Sequence, residues 1–123
     1  MTTVLLVVLG SALGAPARYL LDRLVQAPHG RVMPWGTWVI NVSGSFLLGL
    51  LAGVAAQGEL DSVIVAALGT GFLGSYTTFS TCSAETLRLV EDRAYRAAAA
   101  NVVLSLAVGL AAVTAGVAIG LRL

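Results

Sequence analysis

Gly69-Thr70-Gly71-Phe72-Leu73-Gly74-Ser75-Tyr76-Thr77-Thr78-Phe79-Ser80-Thr81-Cys82-Ser83-Ala84-Glu85 is the stretch on which the reading of this chain turns. It is free of charge up to Glu85, yet three glycines (Gly69, Gly71 and Gly74) are followed at once by a run of hydroxyl side chains. Glycine loosens a helix, and Ser and Thr offer the backbone competing hydrogen bonds. The pattern predicts a helix that breaks near Gly74 to Thr78 and resumes toward Glu85. In hydrocarbon, such irregular backbone survives only where it is buried in protein or lines a polar cavity, and its freed carbonyls are natural ligands for a hard cation. The break therefore suggests an ion site; a glycine-rich kink used only for packing is the alternative.

The rest of the chain places this stretch in a membrane. Of 123 residues, 58% are hydrophobic and 11% charged, and the mean hydropathy is +0.92. That leaves too little polar surface to coat a water-soluble globule. Charge-free runs cover residues 1–17, 32–58, 62–84 and 97–121. Each is near or above the roughly 20 residues needed to cross a hydrocarbon core about 30 Å thick. The expectation is one all-α integral membrane domain over residues 1–123, with spans at about 3–21, 33–57, 62–87 and 97–121. A signal peptide is the competing reading of the first run, because Ala12-Leu13-Gly14-Ala15 resembles a small-residue cleavage site. No basic residue precedes that run, and three later spans would remain to be explained. The charge balance is seven Arg, no Lys and six acids, with no basic cluster, so nucleic acid is not an expected partner.

Small residues recur at four-residue spacing: Gly10 and Gly14, Gly49 and Gly53, Gly116 and Gly120. This spacing lets helix backbones approach closely in lipid, and three instances favour a tight bundle. Polar residues inside the spans are costly in hydrocarbon and call for a partner, a cavity or an ion. Thr37, Asn41 and Ser45 share one face of the second span, and Asn101, Ser105 and Gly109 repeat the row in the fourth. Ser and Thr often only bridge helices, but the amide of Asn41 has two donors and an acceptor to satisfy, which points to a pore or interhelix role. Arg18 with Asp22 one turn later reads as a snorkelling Arg paired at the membrane interface. Glu85 reads as a structural acceptor for nearby hydroxyls, and His29 as a solvated loop residue.

In order along the chain, Gly14-Ala15 with Arg18-Tyr19, Gly36-Thr37 leading to Asn41 and Gly44-Ser45-Phe46, and Gly71 through Thr81 with Glu85 resemble the Fluc/CrcB family of bacterial fluoride channels. The third-span motif is highly specific, whereas the fourth span adds little. The resemblance implies a dual-topology, antiparallel dimer in the bacterial plasma or inner membrane, with two fluoride pores and a central sodium ion that is not transported. It assigns the sodium ligands to the backbone carbonyls of Gly74 and Thr77 from both subunits, so that four oxygens surround a hard cation. It also implies Asn41 as a pore donor, Thr78, Thr81 and Ser105 as hydroxyl donors, and the ring edge of Phe79 as a contact for the partly dehydrated anion. Two departures stand out. Cys82 occupies the place of the family's usual second Phe, and Gly109 replaces a hydroxyl that some members carry.

Three function classes follow: a passive anion channel, a proton-coupled small multidrug-type transporter, and a non-conducting partner subunit of a heterodimeric channel. The multidrug class depends on an acid within the first span, and here none precedes Asp22. An enzyme is not expected, since one His, one Cys and one span-embedded acid form no acid–base or metal constellation. Arg23, Arg31, Arg88, Arg93 and Arg96 fall on one face of a four-span topology and only Arg122 on the other. The Arg bias favours cytoplasmic Arg-rich loops and both termini outside, with homodimer and heterodimer both open.

Overall fold

The computed structural model describes residues 1–29, 32–58 and 60–123, so that Gly30, Arg31 and Glu59, which fall in the expected connections, lie outside the described residues. Among the described residues, four helical stretches are long and apolar enough to cross a membrane. The first, α1, runs Thr2–Gln26 and the second, α2, Trp35–Ala55. The third covers Ser62–Glu91 and is interrupted. It comprises α3 (Ser62–Val65), a π-helical segment (Ala66–Leu73), α4 (Gly74–Tyr76) and α5 (Phe79–Glu91). The fourth is α6, Tyr95–Gly120. Helix α1 continues past its apolar run to Gln26 with Pro16 inside it, because Arg18, Asp22 and Arg23 can remain helical while reaching the wet end of the bundle.

Lipid supplies no hydrophobic force between helices, so the bundle depends on close backbone contact and polar links. The glycine pairs supply the contact. A Cβ on Gly53 would lie 2.6 Å from the Val117 carbonyl oxygen, and one on Gly10 would lie 2.5 Å from that of Ala67. These pairs seat α2 against α6 and α1 against the π-helical segment. Under 3 Å, an added methyl forces backbone apart, so each glycine is needed for the packing observed. Ser11 and Ser75 link α1 to the third span: Ser11 Oγ donates to the Gly71 carbonyl at 3.2 Å, and Ser75 Oγ lies 3.2 Å from the Ser11 carbonyl.

The two ends of the bundle differ. At one end Asp22, Gln26, Pro34, Glu85 and Arg88 surround a cavity of about 200 Å³. At the other, Gln57 Nε2 donates to the Gly120 carbonyl at 2.9 Å and closes α2 against the end of α6. Arg23 and Arg88 therefore sit at the same end, as the loop count implied.

Candidate functional site

The third span breaks at two residues. Thr77 (φ −78°, ψ 159°) and Thr78 (φ −148°, ψ 126°) are both extended, and α5 restarts at Phe79. The backbone groups freed there must find partners inside the protein. Asn41, on α2, supplies two of them. Its Oδ1 accepts from the Thr78 N–H at 2.8 Å, and its Nδ2 donates to the Thr78 carbonyl at 2.8 Å. The amide thus pairs with Thr78 as a neighbouring β-strand would, and one of its two N–H groups remains beyond this bond.

Thr78 also caps α5: its Oγ1 accepts from the Thr81 N–H at 3.2 Å and donates to Thr81 Oγ1 at 3.0 Å. These two diversions bear directly on the carbonyls expected to hold a cation. In an unbroken helix, the Thr78 N–H would close on the Gly74 carbonyl and the Thr81 N–H on that of Thr77. Here Asn41 takes the first and the Thr78 hydroxyl the second. Gly74 is exposed, and a Cβ built on it would meet only the Gly69 carbonyl, at 3.5 Å. Carbonyl oxygens without their helical donors, beside open space, fit a hard cation.

Neighbouring side chains fix the break. Thr77 Oγ1 donates to the Leu73 carbonyl at 3.0 Å, while its methyl lies where a Cβ on Gly44 would be. Tyr76 is 7% exposed, stacks on Phe72 at 5.9 Å and meets Ser43 Oγ through its hydroxyl at 2.9 Å. Sequence reasoning missed Ser43 because it stands off the row of Thr37, Asn41 and Ser45. That row does face the third span. Thr37 Oγ1 donates to Glu85 Oε1 at 3.0 Å, and Ser45 lines a cavity of about 250 Å³ with Gly44, Thr77, Thr78 and Phe79.

The expected pore residues divide between two hollows that share Thr78. A groove of about 510 Å³ is lined by Asn41, Thr78, Phe79, Cys82 and Ser105, among others. Phe79 is 86% exposed, its ring standing free of its own chain. Thr81 faces elsewhere, into a crevice of about 170 Å³ shared with Arg18, Asp22, Thr37 and Thr78. The expected Arg18–Asp22 ion pair is not made. The Asp22 carboxylate instead lies over Gly36, where a Cβ would meet its Oδ1, and is turned to α2 rather than along α1. Glu85 accepts from the Thr37 hydroxyl, but its Oε2 is buried without a hydrogen-bond partner among the described residues.

Four apolar helices with their polar side chains gathered at one interrupted span define a multi-pass membrane protein. The family model described as "CrcB-like protein, Camphor Resistance (CrcB)" matches residues 5–117, and the chain belongs to that family. It is 52% identical over 113 residues to a Streptomyces avermitilis protein named "Fluoride-specific ion channel FluC 1", covering 92% of this chain and 91% of the relative. A protein of the same name from Frankia casuarinae is 48% identical over 94% of this chain and 93% of its own. "Fluoride-specific ion channel FluC" from Geobacter sulfurreducens is 45% identical over 95% of both. The relatives are bacterial channels, not enzymes.

Proposed function

We propose that this chain forms a passive, fluoride-selective channel that lowers cytoplasmic fluoride. It works as an antiparallel dimer around a structural sodium ion. The observation that carries this reading is the make-up of the groove at the break. Its polar lining is neutral, made of the Asn41 amide and the hydroxyls of Thr78, Ser83, Thr86 and Ser105 beside the Phe79 ring, with no acid or base among the described residues that line it. A small, strongly hydrated anion must exchange its water for close donors, and a neutral lining supplies them without a fixed charge that would trap the ion. The names of the relatives point to the same ion.

A second subunit is supported by what the single chain leaves uncovered: the Phe79 ring and the open side of Gly74. The Gly74 and Thr77 carbonyls of both subunits would hold sodium, whose charge offsets backbone dipoles left without donors. Two other readings stay open to test. In a proton-coupled transporter of the small multidrug type, the span-embedded acid would have to be Glu85. In a heterodimer, Cys82 in the groove marks this chain as the non-conducting partner.

The experiment is to reconstitute the purified chain alone, in either sodium or N-methylglucamine, and record fluoride release. Release in sodium but not in the organic cation is expected, with loss of the dimer in the latter. A sodium gradient should neither drive nor accompany the flux. Silence of the chain alone, cured by a co-expressed partner, favours the heterodimer, and sodium movement tied to fluoride overturns the structural role.

A further inference from the structure

Asn101, seen so far only as a member of the row on α6, is 1% exposed in a span that the rest of the chain leaves largely uncovered. It lies on α6 one helical turn before Ser105. Its Nδ2 donates to Thr86 Oγ1 at 2.9 Å and approaches Cys82 Sγ at 3.9 Å. Thr86 Oγ1 donates in turn to the Cys82 carbonyl at 2.8 Å, and the Cys82 thiol points to Ser105 Oγ at 3.9 Å. One amide thus joins α6 to α5 directly behind the groove wall.

We infer that Asn101 is a positioning residue: through Thr86 and Cys82 it fixes α5 against α6 so that the Ser105 hydroxyl presents its proton to the groove. Counting protons leads there. The Thr86 proton is committed to the Cys82 carbonyl, and that of Thr78 to Thr81 Oγ1. Ser105 is on the accepting side of the Cys82 thiol, a weak donor, so on the α6 wall its own proton is left for an anion, as that of the exposed Ser83 is on the α5 wall. Paired with the remaining N–H of Asn41, it places donors from α2 and α6 on two walls of one groove, with the Phe79 ring beside them. Cys82 is then a relay between Asn101 and Ser105 rather than an inert filler.

This inference rests on the fluoride-channel reading, and a double-mutant cycle separates the two. Loss of a donor to an ion should slow fluoride release about tenfold in Ser105→Ala. Asn101→Ala should match it while the protein still elutes as the wild-type assembly. If Asn101 acts through Ser105, the double variant is no slower than Ser105→Ala. Thr86→Val, which breaks the same link, should slow release in the wild type and have no effect in the Ser105→Ala background. It takes the place of Asn101→Ala if that variant does not assemble. Losses that multiply overturn the positioning role while leaving the channel intact. A wild-type protein that passes no fluoride in any pairing overturns both.

Discussion

Asn41→Ala should slow fluoride release by about 100-fold or more, the largest loss expected of a single side-chain truncation here. Two costs combine. The N–H offered to the ion is lost, and a hydrogen bond to a charged group contributes about 1.5–3 kcal/mol. The Thr78 N–H and carbonyl, each 2.8 Å from the Asn41 amide, lose their partner inside an apolar bundle, at about 1–3 kcal/mol for a buried group left unsatisfied. Together these exceed the roughly 3 kcal/mol that corresponds to 100-fold. Asn41→Asp separates the parts. It keeps an acceptor for the Thr78 N–H but removes both donors and sets a negative charge against the anion, so it should be at least as slow. Release by Asn41→Ala within about threefold of wild type would be under 1 kcal/mol and would remove Asn41 from both roles.

The second large effect is expected from a single added methyl. In Gly44→Ala the new Cβ overlaps the Thr77 methyl and lies 3.2 Å from the Tyr76 ring. Overpacking of this kind costs about 1–3 kcal/mol. Here the displaced residue carries one of the two carbonyls proposed for sodium. Fluoride release should fall about 10-fold or more, with a higher sodium concentration needed to hold the dimer. Thr77→Ser removes the obstructing methyl while keeping the hydroxyl that donates to Leu73 at 3.0 Å. It should be near wild type by itself and restore Gly44→Ala to within about threefold. A double variant as slow as Gly44→Ala would mean that the Thr77 contact does not set the break.

These two residues also mark how far the sequence could be read. The spans were legible because hydropathy and the absence of charge are local properties, and the break because Gly74 through Thr78 combines weak helix formers with residues that bond their own backbone. Asn41 was legible as a residue needing partners, and its four-residue spacing from Thr37 set it on the face toward the third span. Its pairing with both backbone groups of Thr78 was not, since that depends on the rotation of α2 and on an extended residue in another span. The Arg18–Asp22 spacing suggested a pair along α1. The carboxylate turned to Gly36 instead, where the lack of a side chain on α2 leaves room for it. Asn101 showed the same limit: its row on α6 was visible, but Thr86 and Cys82 as its partners were not.

Passive, selective permeation of fluoride through the chain alone is the central claim, and charge balance tests it most directly. An anion that moves by itself builds a membrane potential that halts its own flux. Liposomes holding the purified chain, loaded with potassium fluoride, should release almost nothing until a potassium ionophore is added, and then release fluoride rapidly, while potassium chloride liposomes stay closed. Fluoride release that needs no ionophore but follows a proton gradient, or chloride release as fast as fluoride, would contradict a fluoride-selective channel.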